Sequence, residues 1–546
     1  MVLLVNILSF LWLVRTIKFV LFWVYLWQLK EYHIGRFVDH FRTHKGKQIL
    51  LNPLQILKYV LLVVLLINYY FFNGVFYALF AVYCLESALF TYSVIRKQFK
   101  KPVLTKKTLF LTLISILVIL AYMVFSYTFL AGAFDSMYFY IFWFVASLLL
   151  FDIFTPLIVS AIVLFVQPFF VIVRNVVLKK AKKKMSSFKN VIVIGITGSY
   201  GKTSTKEFLH TILSSKFNVL ATPEHKNSEM GIAQTILKEL RPEHQIFIVE
   251  MGSYNKGGIN LLCNMVMPTI GLVTGVNEQH LATFGSLENL LSAEGGRELA
   301  QCLPKDGLIV VNGENKYCLD LYKKTELNKR IYTLKRDRIN SDIWTEDILV
   351  QKDSVSFVAV NHNKEMSHFA VNVLGGHNVQ NLLGAITVAK ELGMTMQEIS
   401  QACKDIKPGQ AGIALKEGVH GIDIIDSSYS SNPDGVVADL GYLNVFPGKK
   451  IMVMPCLIEL GEASARVHEE LGKKIAEVCD LAIVTTKDKF KEISEGFISA
   501  GKPEHKIVFS ENPKDIFAMI TTMCKEGDAV LLEGRVPGEL IKLLHG

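Results

Sequence analysis

No Cys-x-x-Cys pair, internal repeat or low-complexity tract occurs in the 546 residues. The eight cysteines stand singly, which argues against a disulfide framework or a zinc site and fits a reducing compartment. A basic patch with interleaved aromatics is also missing from the polar part of the chain. Much of the net charge of +9 comes instead from RKQFKK, TKK and KKAKKK, which flank apolar runs, so membrane topology explains it better than nucleic-acid binding. The first apolar stretch has no small-residue cleavage site after it, and Arg15 and Lys18 interrupt it. It therefore reads as a retained segment and not a cleaved signal peptide.

What is present divides unevenly. Hydrophobic residues make up 51% of the chain, and they are concentrated in its first third, so a membrane part precedes a part that reads as soluble α/β protein. The length predicts two to four domains. Candidate spans run over about 4–27, 50–72, 75–95, 108–131 and 137–178, each near or above the roughly 20 residues needed to cross the hydrocarbon. The first reads as a crossing or as an interfacial amphipathic helix. The basic flanks Arg96 to Lys107 and Lys179 to Lys184 belong on the cytoplasmic side, as does EYHIGRFVDHFRTHKGKQ. An even number of crossings must separate the first two flanks. The block 137–178 then supplies one, with Asp152 and Pro156 predicted to break it into a short interfacial or re-entrant piece and a crossing. Glu86 and Asp152 look isolated inside apolar runs, as functional groups or as polar helix contacts, and no charge constellation suggests transport.

The most specific chemistry lies in GITGSYGKTSTKEFL. NVIVIGITGS reads as a buried strand, and TSTKEFLHTIL as a helix with Phe208, Leu209, Ile212 and Leu213 on one face. Between them Gly198, Ser199, Tyr200, Gly201, Lys202 and Thr203 form a phosphate-binding loop, with Lys202 supplying charge and Thr203 a hydroxyl for Mg²⁺. Gly195 lies one residue too far from Gly201 for the commonest spelling, so Gly198 is the working glycine. Two more apolar runs, QIFIVEMGS and TIGLVTGVNEQHL, end near Glu250 and His280, where an open α/β sheet places ligand-binding residues. A carboxylate and an imidazole there would complete a magnesium site, although His280 alone reads as a loop histidine.

At these residues the chain resembles the Mur ligase family, and within it the MurF-like type that adds D-Ala-D-Ala to a muramoyl tripeptide. TGSYGKTSTK, KNSEMGIAQTIL, IVEMGSYNKGGI, QHLATFGSLENLL, GGHNVQNLLGAI, IIDSSYSSNPDG and IELGEASARVHEELG occur in the family's order across about residues 190–535. The resemblance implies ATP phosphates on Gly198 to Thr203 and Ser204, and magnesium on Thr203, Glu250 and His280, with Lys202, Glu250 and His280 as the catalytic set. It implies that Asn378 and Asn381 lie beside the adenine and that Asn227 and Ser228 belong to the acceptor region. Asp426, Tyr429, Asn432 and His468 would come from a mobile C-terminal domain that closes over the nucleotide and substrate. The implied reaction is amide formation through an acyl phosphate.

Departures from the family's pattern are equally visible. Where the family has a lysine modified to a carbamate, SAEGGREL offers Glu294 as a substitute negative charge. Ile413 stands where an arginine is expected, Ser427 where a second aspartate is, and the KGS-type motif reads EGR at Glu533 to Arg535. Membrane spans occupy the place of the family's uridine-nucleotide domain, so the acceptor is expected at the bilayer, as a lipid-linked or a soluble peptidoglycan precursor.

The expected fold is an α-helical membrane domain over 1–180, then α/β: a central ATP-binding domain with a mostly parallel sheet over 181–409, and a smaller Rossmann-like domain over 410–546. KKAKKKMSSFKN is the predicted linker, and KPGQAG marks the second boundary. The expected protein is a multi-pass ligase of the bacterial inner membrane with its ligase domains in the cytoplasm, using ATP and Mg²⁺. It would contact membrane lipid and no nucleic acid. The alternative is a non-catalytic nucleotide-binding scaffold of wall synthesis; no transporter signature accompanies the loop.

Overall fold

The computed structural model describes residues 2–67, 69–224, 226–336, 340–428 and 431–545. It divides into two compact units, Met1–Val173 and Arg174–Gly546.

In the first unit five stretches are long and apolar enough to cross a membrane, by length and composition: Val2–Leu29, His44–Ile67, Tyr69–Ile95, Lys106–Ala133 and Met137–Met185. Their packing places large aromatics inside, among them Trp12, Trp23, Trp27, Phe72, Phe76 and Tyr83. Leu66, Val124 and Phe165 are among many apolar side chains left on the outside. An apolar exterior suits lipid, where burying such groups brings no hydrophobic gain.

The interior also holds charge. Glu86 and Asp152 are not isolated. Lys58 Nζ lies 2.7 Å from Asp152 Oδ2 and 2.6 Å from Glu86 Oε2, while Arg15 pairs with Asp152 and, at 3.2 Å, with Glu86. Tyr83 donates its hydroxyl to Asp152 Oδ2 at 3.2 Å. Periodicity could not show this, because the four charges come from four different helices. The break predicted at Asp152 and Pro156 is also absent: Met137–Met185 is one helix with Pro156 and Pro168 inside it. Hydroxyls beside the first proline bond helix carbonyls, Thr155 to Phe151 at 2.9 Å and Ser160 to Pro156 at 2.7 Å, the kind of adjustment that lets such helices tolerate proline. At 1.5 Å per residue the helix is roughly 70 Å long, more than hydrocarbon alone can cover.

Its last turns belong to the second unit. KKAKKK is helical and not a loose linker: Leu178, Ala181 and Met185 are buried with Val193, Ile236 and Phe247, while Lys179, Lys180, Lys182 and Lys183 are exposed.

The second unit contains two sheets. The larger consists of β1 (Ile192–Thr197), β2 (Val219–Ala221), β3 (Ile246–Glu250), β4 (Ile270–Val273), β5 (Leu308–Asn312), β6 (Asn328–Thr333), β7 (Ile343–Val350), β8 (Val355–Asn361) and β9 (Met366–Val371). Their order is β2-β3-β1-β4-β5-β6-β7-β8-β9, parallel as far as β7 and antiparallel beyond it. Central strands such as IFIVE are buried along their whole length, as a parallel sheet covered on both faces requires.

The smaller sheet consists of β10 (Ala414–Glu417), β11 (Asp423–Ser427), β12 (Lys450–Met454), β13 (Leu481–Val484), β14 (Ile507–Phe509) and β15 (Ala529–Glu533), in the order β10-β11-β15-β12-β13-β14. It is parallel except for the β10 edge. Ser427 and Glu533 are register partners at the ends of β11 and β15. Ser427 donates to Asp439 Oδ2 at 2.6 Å. Glu533 is 1% exposed, and neither of its oxygens meets a donor in hydrogen-bond geometry. Burial first, then the charge of Asp439, push the Glu533 carboxyl well above its ordinary value, with the hydroxyls of Ser431 and Ser427 opposing.

Two expectations follow. Asp152→Asn leaves two buried cations short of a partner and should cost about 3–5 kcal/mol, whereas Lys58→Met combined with Asp152→Asn should recover part of it. Thermal unfolding in detergent measures both, and a double variant no more stable than Asp152→Asn refutes the pairing. Glu533 holds its proton in the folded state above the pH at which the unfolded chain releases it, so stability falls as pH rises from 4.5 toward the raised folded value. Glu533→Gln should flatten that decline, and an unchanged slope would show that the carboxyl titrates normally.

Candidate active site

The site begins where β1 ends. Gly198 has φ +143° and Gly201 φ +73°, conformations that favour glycine. Space demands glycine as well: a Cβ on Gly198 would sit 2.2 Å from Thr274 Oγ1, and one on Gly201 2.3 Å from Asn381 Oδ1. Ser199 N–H donates to Gly275 O at 2.7 Å, and Thr274 Oγ1 donates to Tyr200 O at 2.5 Å, so the neighbouring strand's end holds the loop. Tyr200 turns inward, where Asn315 Nδ2 donates to its hydroxyl at 3.3 Å and burial pushes that hydroxyl's pKa up. Lys202 folds back to Gly198 O. The helix Lys202–Ser214 that follows has no side chain capping its N-terminus. Its first-turn N–H groups, from Lys202, Thr203 and Ser204, therefore suit an anion.

Two carboxylates flank this loop. Glu250 ends β3 opposite Ile196 of β1. Its Oε1 accepts from Thr203 Oγ1 at 3.1 Å and from Asn227 Nδ2 at 3.0 Å. Lys206, wholly buried, lies 3.4 Å from its Oε2. Glu294 occupies the other side. Ser199 Oγ donates to its Oε2 at 2.7 Å, and His280 Nδ1 is 3.3 Å from its Oε1. Burial works against the charged form of Glu294, but the His280 hydrogen bond, the charges of His280 and Lys202 and the Ser199 hydroxyl outweigh it and hold the carboxyl below its ordinary value. His280 therefore faces Glu294, with Glu459 Oε2 3.8 Å from its other nitrogen, while Thr203 faces Glu250.

Among the described residues no three His, Cys, Asp or Glu side chains gather as a metal cage. A hydroxyl beside a carboxylate on each side of a phosphate loop still fits magnesium, which takes hard oxygen donors, keeps several waters and is usually shared with substrate phosphates. Thr203 with Glu250, and Ser199 with Glu294, are the residues that would hold it, with His280 bonded to Glu294.

The remaining expected residues separate into groups. Asn378 and Asn381, on the helix His377–Glu391, buttress the loop from behind. Asn378 donates to Leu374 O at 2.7 Å, Asn381 donates to Asn378 Oδ1 at 3.0 Å, and Thr205 Oγ1 donates to Asn381 Oδ1 at 3.4 Å. Ser228 caps the helix Glu229–Lys238. Asp426 is held by Ser428 and, at 3.0 Å, by Lys416 within its own sheet. Asn432 caps the helix Pro433–Leu443 and accepts from Asn277 Nδ2 at 2.9 Å. Tyr429 lies outside the described residues.

His468 needs correction. It is wholly buried; its Nε2 accepts from Leu457 N–H at 2.9 Å and its Nδ1 donates to Ser464 O at 2.6 Å, so no ring nitrogen remains for a substrate. It pins the loop that carries Glu459.

Sequence reasoning missed the seam between the two sheets' domains. Asn277 Nδ2 also donates to Asp434 Oδ2 at 2.8 Å, Gln279 Nε2 to Ser431 O at 3.2 Å, and Arg466 to Glu278 Oε2 at 2.6 Å, while Ala282 N–H donates to Glu459 O at 3.1 Å. The run NEQHLA, one polar stretch after β4, makes all four contacts. Its density of polar residues was a usable signal; its partners, more than 150 residues away, were not.

Comparison with known proteins accords with this geometry. The Mur ligase middle domain matches residues 196–389, and the Mur ligase, glutamate ligase domain matches residues 413–536. Together they take in more than half of the chain. The UDP-N-acetylmuramoyl-tripeptide–D-alanyl-D-alanine ligase of Escherichia coli K12 is 28% identical over 357 residues, covering 64% of this chain and 73% of that protein. The protein of the same name from Bacillus subtilis 168 is 26% identical over 344 residues, covering 62% and 72%. MurF from Acinetobacter baumannii has a similar fold at 23% identity, with TM-score 0.61 over 68% of this chain and 79% of that one. MurF ligase from Thermotoga maritima, solved in complex with ADP, is 26% identical with TM-score 0.57 over 68% and 83%. The two matched domains, in order on the two sheets just described, make the chain a member of the Mur ligase family, whose relatives here are ligases of the MurF type.

Proposed function

We propose that the chain is a membrane-anchored, ATP-dependent amide ligase that joins an amino acid or dipeptide such as D-Ala-D-Ala to a carboxylate of a peptidoglycan precursor. The carrying observation is the uncapped helix N-terminus at Gly201 with Lys202 in the loop and one ionised or hydrogen-bonded carboxylate on each side. The precursor carboxylate attacks the γ-phosphorus of ATP, ADP leaves, and an acyl phosphate forms. The amine then attacks the acyl carbon, loses a proton and expels phosphate.

Each residue has a physical task in that sequence. The loop N–H groups and Lys202 offset the phosphate charge, which otherwise repels the incoming carboxylate. Bound Mg²⁺ would add further charge neutralisation at the phosphates. Thr203 and Glu250 fix one side of the loop, with Lys206 limiting the negative charge that accumulates there. Glu294 substitutes a permanent carboxylate for the family's modified lysine and orients Ser199 and His280. The NEQHLA seam keeps the smaller domain against the loop, where it limits hydrolysis of the acyl phosphate by water.

The five apolar stretches and the basic turn at Lys179 to Lys183 support an inner-membrane, multi-pass placement with the ligase domains in the cytoplasm. The precursor that this ligase would extend is then presented at the bilayer, lipid-linked or soluble.

Replacement of expected charges by Ile413, Ser427 and Glu533 favours a second reading, a nucleotide-binding scaffold without turnover. Detergent-solubilised protein supplied with ATP, muramoyl tripeptide precursors in soluble and lipid-linked form, and D-Ala-D-Ala separates the two. The ligase should release phosphate, and Lys202→Ala should slow it about 100-fold or more. ATP binding without release in every combination would establish the scaffold. Glu294→Gln should slow turnover about 10- to 100-fold and weaken Mn²⁺ binding in the presence of ATP. Unchanged kinetics and unchanged Mn²⁺ affinity would remove Glu294 from the site.

A further inference from the structure

The charged interior of the first unit does not balance. Arg15, Lys18 and Lys58 face only two carboxylates, Glu86 and Asp152. Four of the five satisfy one another, and Lys58 and Asp152 are sealed from solvent. Lys18 is the remainder. It lies one turn beyond Arg15 on the helix Val2–Leu29, half-buried, in the field of Glu86, Arg15 and Lys58. Among the described residues it makes no ion pair and no side-chain hydrogen bond. Its ammonium lies over the Phe90 ring, 5.5 Å from the centroid.

A second group there is also unsatisfied. Ser87, next to Glu86 and one turn before Phe90 on the helix Phe72–Ile95, has a buried hydroxyl with no hydrogen-bond partner. In water neither observation would mean much. Inside a stretch apolar enough to span a bilayer, an ammonium without an ion-pair partner and an unpaired hydroxyl are both costly, and charged groups held there mark binding or transport paths.

We propose that Lys18 holds the phosphate of an anionic lipid, with the Ser87 hydroxyl as a second donor and the Arg15–Glu86 pair fixing the two helices between which it binds. Three features favour a phosphate over a soluble anion. The helix that carries Ser87 is apolar on its outside, as exposed Leu85 and Leu89 illustrate, so acyl or prenyl chains can lie against it. The site carries one net positive charge, which a phosphodiester neutralises. Lysine on a flexible stem can also extend along its helix toward the headgroup level, where such phosphates sit. The chemistry is common to a bulk phospholipid and to a polyprenyl diphosphate carrier. The inference does not rest on the ligase reading, because nothing in the second unit enters it.

Native mass spectrometry of the full-length protein, released from detergent and titrated separately with phosphatidylglycerol, phosphatidylcholine and a polyprenyl diphosphate, tests it. Wild type should retain one anionic lipid in preference to phosphatidylcholine. Lys18→Gln should weaken that retention about tenfold, and Lys18→Arg should keep it. Stronger retention of the polyprenyl diphosphate names the carrier as the source, and stronger retention of phosphatidylglycerol names bulk lipid. The melting temperature of each variant in detergent controls for folding. Equal retention of all three lipids, or a folded Lys18→Gln protein that binds as wild type does, overturns the proposal.

Discussion

The parallel pairing of β3, β1 and β4 is the constraint from which the catalytic geometry follows. Ile196 stands beside Glu250 on one side and Leu272 on the other, so three chain segments leave the sheet at the same edge. The phosphate loop leaves β1 there, Glu250 ends β3 there, and the run to His280 leaves β4 there. Such an edge forms only if the strands are buried on both faces, and the unbroken apolar runs of the strands meet that condition. Once the edge exists, Gly198 and Gly201 are forced: the loop must pass between Thr274 and Asn381, where no side chain fits. The buried asparagines are therefore part of the loop's foundation and not spare polar groups.

Local features were legible in the sequence to the extent that their causes were local. The strand, the glycine loop and the helix of GITGSYGKTSTKEFL could be read because periodicity and glycine placement act over a few residues. Glu250 could be read as a strand end. The partner of His280 could not, because Glu294 reaches it through two short helices, Leu281–Phe284 and Leu287–Ala293, whose path depends on packing. The same limit explains His468, which in sequence is a polar residue among others on a charged helix; only its burial shows that its nitrogens are committed to Leu457 and Ser464. The charged interior of the first unit lay furthest from sequence reasoning. Arg15 looked like an interruption of an apolar stretch, and its meaning lay in a helix whose Asp152 is 137 residues away.

The smaller sheet shows how a change of charge is absorbed. Ser427 and Glu533 are neighbours across two parallel strands, and Asp439 packs against both. Two carboxyls this close in a buried place cannot both ionise without a cation, so Glu533 keeps its proton. The pair becomes a set of neutral or singly charged groups. The sheet thereby tolerates a buried carboxyl at Glu533 beside a hydroxyl at Ser427, while the seam runs through Asn277, Glu278 and Gln279. Domain contact and the composition of that pocket are thus separable, and loss of one expected charge does not imply loss of closure.

Both units offset buried charge with partners close at hand. Around the phosphate loop, Glu294 is buried, and His280, Lys202 and Ser199 together hold its carboxyl below its ordinary value. In the first unit Lys58 and Asp152 are sealed from solvent, and Arg15, Lys58, Glu86 and Asp152 pair with one another. A plain apolar anchor would need none of these charges, since leucine at their positions would cross a bilayer at less cost. Four paired charges on four helices instead fix how those helices stand against one another. That makes the first unit a folded domain with a defined polar interior, beside which Lys18 stands half-buried and, among the described residues, without an ion pair.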